Sequence, residues 1–386
     1  MDLDFSDEQL LLRDTVRELC AKHVPLDTVR ALENDPERLP DDFWKQAGLL
    51  GLHGMRLPEE HGGTDMTLLD AALVYAEFGR ALVPSPHFAG TVLAGRVLAA
   101  AGSAEQRQRW LPRIASGAGV FTVAWLEPDR SCGPKGVRAR AVPGPGSDGG
   151  YRLSGVKRHV PYARSSERVL VLARDEGTGE VVFLLVDPAA EGVRLTQQLT
   201  MASDTQYRVE FEDVFVPEEA VVRGGWQVWD AVMHDAVVLL AAQAVGAARR
   251  TLEFTVEYAL TRRQFDKPLG AFQAIAHYLA DAVTAIDGAE ALVWEAAWAR
   301  DAGRSTSRLA PMAKLFACDT FRDMTATAQQ VFGGNGFTVE FDTQLYFRRA
   351  KQWQMAWWDA RYLEELVAAQ VLDAAPELKT GVSCRS

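Results

Sequence analysis

The sequence predicts an α+β multidomain protein, with an N-terminal helical domain (residues 1–119), a middle antiparallel β domain (120–224) and a C-terminal four-helix bundle (225–386). Three observations predict it. Helical periodicity fills the chain as far as Gly119. Short β-branched and aromatic runs, parted by turn clusters, then reach about Val222. Helical periodicity resumes near Trp226 and holds to about Ala374, with no internal repeat or low-complexity tract.

In the first part, Asp4 and Ser6 precede the run Glu8–Leu19, whose apolar residues fall at helical spacing with charges opposite. Further helices are expected over roughly 40–50, 67–82, 88–101 and 104–116. Breakers at Leu57–Gly63 and Val83–Pro86 part them. In the middle part the strand candidates are Val120–Ala124, Tyr151–Ser154, Arg168–Leu172, Val181–Val186 and Tyr207–Phe211. Val142–Gly150 is the clearest turn cluster. In the last part, Val237–Leu260, Phe272–Asp301 and Met312–Val331 suggest an antiparallel bundle, and the final dozen residues should fray.

The composition bounds the partners. The 386 residues are 48% apolar and 24% charged, enough for full cores in two or three domains. A net charge of −11 argues against nucleic acid as the main partner, though a local basic pocket could still hold a phosphorylated small molecule. The acidic start, MDLDFSDEQLLL, lacks the basic and apolar regions of a secretory signal. The longest apolar candidate for a membrane span, Ala236–Ala248, is too short and contains Gln243. Cys20, Cys132, Cys318 and Cys384 lie far apart, so neither zinc nor a disulfide framework is expected. A cytoplasmic protein is expected, with no nucleic-acid or membrane partner.

Several segments, in order, resemble the acyl-CoA dehydrogenase family over nearly the whole chain. Trp44–Leu52 followed by Pro58–Gly63 is similar to the family's N-terminal pattern. Glu127-Pro128 resembles its T-E-P signature, and Phe211–Pro217 the strand closing its β domain. Tyr258–Phe265 with Phe272-Gln273-Ala274 resembles its R-x-x-F…Q element. Gln330–Gly336 resembles its Q-x-F-G-G-x-G turn. The resemblance implies FAD bound where two subunits of an oligomer meet. It also implies loss of an α-proton to a carboxylate base and of a β-hydride to the flavin, with hydrogen bonds to the thioester carbonyl acidifying that proton.

The resemblance assigns Arg262 to a neighbouring subunit's FAD pyrophosphate, for which a planar guanidinium fork is suited. Gln264, Phe265, Gln273, Gln330, Gly333 and Gly334 fall on cofactor positions of the same element and turn; the glycines let backbone approach the ligand. In the β domain, Leu126 stands where the family has a threonine or small residue, and leucine cannot donate to the ring. Cys132 stands at a serine position. In Lys157–Tyr162, matching K-x-W-I-T-N, His159 replaces the aromatic and Pro161 the residue near flavin N5.

The base is also displaced. The family run R-D-A-K-x-x-x-I-Y-E-G-T is matched by Arg348–Asp359, with Trp357 at the glutamate. A minority of the family places the base ten residues before a helix glycine; from Gly246 that gives Ala236, beside Val237, with His234 at a substrate-contacting aspartate. Asp235 and then Asp359 are the nearest carboxylates, although one helical step, about 100°, separates Asp235 from the expected face. His234 and Trp357 are candidate substrate contacts, and Trp353, Trp357 and Trp358 also suit core packing.

Three functions follow. The first is a flavin dehydrogenase acting on an acyl thioester of CoA or a carrier protein, as a homo-oligomer that passes electrons to an acceptor such as an electron-transfer flavoprotein. The second is a base-deficient subunit of a heteromer with another acyl-CoA dehydrogenase chain: it would keep the residues given to a neighbour and lose those serving its own site. The third is a non-redox member of the fold.

Overall fold

The computed structural model describes residues 4–35, 39–128, 132–144 and 149–373. The expected turn at 145–148, the Asp129–Ser131 stretch and the fraying tail lie outside the described residues. Among these residues six α-helices come first: α1 (Asp7–His23), α2 (Leu26–Ala31), α3 (Asp41–Leu49), α4 (Leu68–Arg80), α5 (Arg96–Ala101) and α6 (Ala104–Ala115). Three of them begin with reciprocal capping boxes, at Ser6/Gln9, Thr67/Asp70 and Ser103/Gln106, which satisfy N–H groups the first turn leaves free. The stretch Phe88–Gly95 leading into α5 is a π-helix of eight residues.

Among the described residues eight strands form one sheet: β1 (Phe121–Ala124), β2 (Arg140–Pro143), β3 (Tyr151–Pro161), β4 (Arg168–Asp175), β5 (Val181–Val186), β6 (Val193–Gln198), β7 (Gln206–Val216) and β8 (Val221–Val222). Their order is β6-β7-β3-β2-β4-β5-β8, with β1 also on β4. This corrects the expectation of a purely antiparallel domain. β1 and β2 both pair parallel to β4, Phe121 opposite Arg168 and Arg140 opposite Arg174, while the other pairings are antiparallel. Alternation reports which residues face a core, not the direction of the neighbouring strand.

The sheet's two faces serve different cores. Leu170, Leu172, Phe183 and Leu185 join the core shared with the helices, while Val169, Val171, Val182 and Leu184 fill a second core within the β segment. The alternation within β4 and β5 makes this split.

Five helices follow: α7 (Gly225–Thr261), α8 (Gln273–Asp301), α9 (Leu309–Phe332), α10 (Thr343–Met355) and α11 (Ala360–Ala368). A hairpin of β9 (Arg263–Gln264) and β10 (Lys267–Pro268) sits between α7 and α8. At 37 residues, α7 is long and apolar enough to cross a membrane, but 89% of its most apolar stretch is buried against α4, α8, α9 and their neighbours. Its composition is that of a core helix. Glycine sets its crossing with α4: a Cβ on Gly79 would stand 1.8 Å from the Gln243 carbonyl oxygen, and one on Gly246 1.8 Å from that of Ala76. The two backbones meet directly.

Candidate active site

A cavity of about 420 Å³ opens where the β segment, the π-helical stretch, α7 and α10 converge. Its walls are largely apolar and aromatic: Phe88, Trp125, Leu126, Pro161, Trp353 and Trp357. Trp125 stacks on Trp357 with ring centres 6.3 Å apart and planes 13° from parallel, and Phe88 lies 5.2 Å from the same indole. Trp357 holds φ at +63°, a strained value for a bulky residue. Apolar walls with a few polar groups and a volume of hundreds of Å³ are what small-molecule sites share.

All four positions assigned to the β-domain side of the cofactor, Leu126, Cys132, His159 and Pro161, line this cavity, as do Trp357 and Asp359. His159 lies within an irregularity in the β3–β7 pairing, between Lys157 and Val160, and holds φ at +53°, so the chain turns there as it reaches the cavity. Its N–H donates to Gln198 Oε1 at 3.0 Å, and Nδ1 lies 2.9 Å from Gln206 Oε1. Pro161 donates nothing, and its carbonyl accepts from Thr122 Oγ1 at 2.6 Å. Burial pushes the Cys132 thiol up, disfavouring thiolate.

One buried ion pair joins two of the resemblance motifs. Glu127, from the Glu-Pro dipeptide, accepts from Lys157 Nζ at 2.6 Å and from the backbone N–H groups of Arg138 and Ala139 at 2.9 Å each. Lys157 is fully buried, and burial lowers its pKa against the pull of Glu127. The pair ties β3 to the loop after β1, fixing Leu126 and His159 at the cavity's edge.

The carboxylates divide. Asp235 does not line the cavity: its oxygens accept from Arg300 Nε at 2.6 Å and Arg56 Nη2 at 3.4 Å. A buried carboxylate is held where its cations are, so the structure does not bring Asp235 to the cavity. His234 stays outside the lining too, beside Asp230 and edge-on to the Trp358 ring at 5.0 Å. Asp359 lines the cavity while its carboxylate caps α11, accepting from the Tyr362 N–H at 3.0 Å.

Sequence reasoning missed Asp204, Tyr162, Gln352 and Arg349, which also line the cavity. Asp204 accepts from Thr200 Oγ1 at 2.5 Å, Gln206 Nε2 at 2.6 Å and the Gln352 amide. Arg349 was legible, because the chain has Arg348-Arg349 where the family run has arginine then aspartate.

The remaining predicted residues form a separate, open surface. Arg262, Gln264, Phe265, Gln273, Gln330, Gly333 and Gly334 are all exposed, and none lines the cavity. Phe332 stacks on Tyr258 at 4.0 Å and Asn335 Nδ2 donates to the Tyr258 hydroxyl at 3.3 Å, which holds the glycine turn against the end of α7 that carries the β9–β10 hairpin. Gly333 holds φ at +60°, and neither it nor Gly334 would bring a Cβ within 4 Å of another group, so both leave bare backbone.

The cavity suits a flat heterocycle with apolar faces and polar edges, since indole, phenyl, proline and leucine walls surround a few amide, hydroxyl and imidazole groups together with the charged Arg349, Lys351, Asp204 and Asp359. Among the described residues no cluster of three or more His, Cys, Asp or Glu could hold a metal ion.

Comparison with known proteins agrees with this geometry. Sequence models for the acyl-CoA dehydrogenase N-terminal and C-terminal domains match residues 6–118 and 223–357. The acyl-CoA dehydrogenase IpdE2 of Mycobacterium tuberculosis is 31% identical over 345 residues, 89% of this chain and 91% of the relative. Benzylmalonyl-CoA dehydrogenase of Aromatoleum aromaticum is 28% identical over 386 residues, covering 96% and 100%. Among solved structures, a chain of the ChsE4–ChsE5 complex from Mycobacterium tuberculosis superposes with a TM-score of 0.88 at 27% identity, covering 97% of this chain and 100% of that one. With its helix–sheet–helix order, its cavity at their junction and these matches, the chain belongs to the acyl-CoA dehydrogenase family, flavoprotein oxidoreductases acting on CH–CH groups.

Proposed function

We propose that the chain carries out α,β-dehydrogenation of an acyl thioester, of CoA or a carrier protein, with FAD in the cavity and an electron-transfer flavoprotein as acceptor. One observation carries this reading: Leu126, Cys132, His159, Pro161, Trp357 and Asp359, far apart in sequence, converge on one cavity. When bound, the flavin would supply hydride acceptance. Trp125, Trp357 and Pro161 would hold its ring by apolar contact. The aromatic and leucine walls would keep water from the acidified carbon.

Proton removal falls to a carboxylate at the cavity. Asp359, the second of the two candidate carboxylates in the sequence, is the one that the cavity lining supports, and accepting a proton there would weaken its cap on α11. Asp235, tied to Arg300 and Arg56, is the weaker candidate. Arg262, Gln264, Phe265, Gln273, Gln330, Gly333 and Gly334 would hold a neighbouring subunit's cofactor, which their exposure allows. A cytoplasmic location goes with this reading.

A second reading is favoured by Trp357 at the base position: the chain would be the base-deficient subunit of a heteromer, as a similar solved chain comes from the two-component ChsE4–ChsE5 complex. Flavin content per chain separates the two. An autonomous dehydrogenase is expected to purify with one flavin per chain that bleaches anaerobically on adding thioester, and Asp359→Asn should slow bleaching about a hundredfold or more. A chain that takes up flavin only with a second family chain present would establish the heteromer, and one that takes up none in either case would refute both.

A further inference from the structure

Among the described residues, Arg349 is the one buried guanidinium on the cavity wall. It is 5% exposed, its Nη1 is fully buried without a hydrogen-bond partner, and among the described residues no ion pair engages it. Such a charge is costly: an unpaired ion out of water loses several kcal/mol unless an opposite charge or strong acceptors replace its hydration. The other arginines at the inner sites are paired, Arg348 with Glu33 and Arg300 with Asp235. Burial alone already works against the charge on Arg349, although an arginine stays protonated.

The groups facing it do not discharge it. Asp204, on the same wall, and Glu33 attract this charge through space, but among the described residues no ion pair joins Arg349 to either, and three donors already occupy the Asp204 oxygens. Glu33 is engaged by Arg348. Tyr162 also lines the cavity and is largely buried; burial raises its pKa, so its hydroxyl stays a neutral donor. A fixed cation and a phenolic O–H on one wall of a cavity make the two halves of a site for an anionic oxygen.

We propose that Arg349, with Tyr162, forms an anion subsite in the cavity, filled by an oxygen of whatever ligand occupies it. This rests on the dehydrogenase reading and deepens it. Two ligands could deliver that oxygen. One is a carboxylate on the acyl group, remote from the thioester. The other is the flavin ring, which gains negative charge on reduction.

The test uses the purified protein with whatever flavin and partner it carries, and compares wild type with Arg349→Gln, Arg349→Lys and Tyr162→Phe. Two quantities are read: binding of glutaryl-CoA against valeryl-CoA by calorimetry, and the reduction potential of bound flavin. If the acyl carboxylate is the anion, wild type prefers glutaryl-CoA by about ten- to a hundredfold, the worth of one charge-assisted hydrogen bond. Arg349→Gln then erases that preference without weakening valeryl-CoA, and Arg349→Lys restores part of it. If the flavin is the anion, Arg349→Gln lowers the potential and leaves the two thioesters unchanged relative to each other. Neither change in either readout overturns the subsite. Should the protein bind neither thioester nor flavin, the dehydrogenase reading fails, and free glutarate decides the subsite separately: thermal stabilisation lost in Arg349→Gln upholds it, and none in wild type overturns it. Because the variant removes a buried charge that has no direct ion pair among the described residues, it should fold about as well as wild type without ligand, which a thermal melt checks.

Discussion

At the scale of single residues, two buried histidines lie beside the cavity rather than in its lining. His87 is 1% exposed, with Nε2 donating to the Leu52 carbonyl at 3.0 Å and Nδ1 accepting from the Tyr75 hydroxyl at 2.9 Å. His53 donates from Nε2 to the Trp44 carbonyl at 2.8 Å, and its Nδ1 is buried without a partner. Burial lowers both pKa values, to about 3 for His87 and about 4 for His53. The sign follows from linkage. Between these values and the ordinary one near 6.5, the unfolded chain binds protons that the folded chain refuses, so stability falls as pH falls through that window. Urea unfolding at about pH 7 and about pH 5 should show the loss in wild type and a shallower one in His87→Gln. Equal slopes would show that His87 takes up its proton in the folded state. The same scale shows what the sequence hides. Cys132, His159 and Pro161 were placed at the site because motif spacing carries them there, whereas the state of a side chain depends on neighbours distant in the chain. Asp235 is the example: only the fold reveals that Arg300 and Arg56, from two other segments, own its oxygens.

Among the elements, helices were the most legible, because period and caps are local. The expected starts near 67 and 104 correspond to capped helices at Leu68 and Ala104, whose Thr67 and Ser103 caps stand in plain view. Pairing direction in the sheet was not, since β1 and β2 meet β4 only after the chain has folded back. Nor was the π-helical widening at Phe88–Gly95, which has the same apolar face as an α-helix would. The α4–α7 crossing gives a prediction at this scale. Gly246→Ala places a methyl 1.8 Å from the Ala76 carbonyl oxygen, which no rotamer relieves, so the helices must part. We expect a loss of about 3 kcal/mol or more, or insoluble protein. Gly288→Ala, on α8, meets only Phe316 Cε1 at 3.5 Å and should stabilise by about 0.5–1 kcal/mol, as a helix interior gains from alanine. Denaturant midpoints of the two variants should move in opposite directions; a shared sign would refute the crossing geometry.

For the whole molecule, exposed apolar surface decides what the chain does next. Phe265 is 86% exposed at the hairpin, Phe337 and Val339 are 73% and 72% exposed beyond the glycine turn, and Tyr278 and Phe316 are exposed on α8 and α9. A monomer seldom leaves so many large apolar side chains in water, and surfaces of this kind mark interfaces. The cavity and this surface are distinct places on one chain: the first would hold the cofactor within a subunit, the second would reach into a neighbour's. The chain should therefore sediment as a dimer or larger, or be driven to one by a second family chain. Phe265→Asp places a charge at the hairpin tip, where folding contacts are few, so it should dissociate the assembly while leaving the circular dichroism spectrum unchanged. If flavin is held between subunits, the same variant should lose cofactor in step with mass, although Phe265 is nowhere near the cavity of its own chain. A monomeric wild type that keeps its flavin would overturn this picture. A dissociated Phe265→Asp that also keeps it would confine the cofactor to one subunit and leave the open surface with assembly alone.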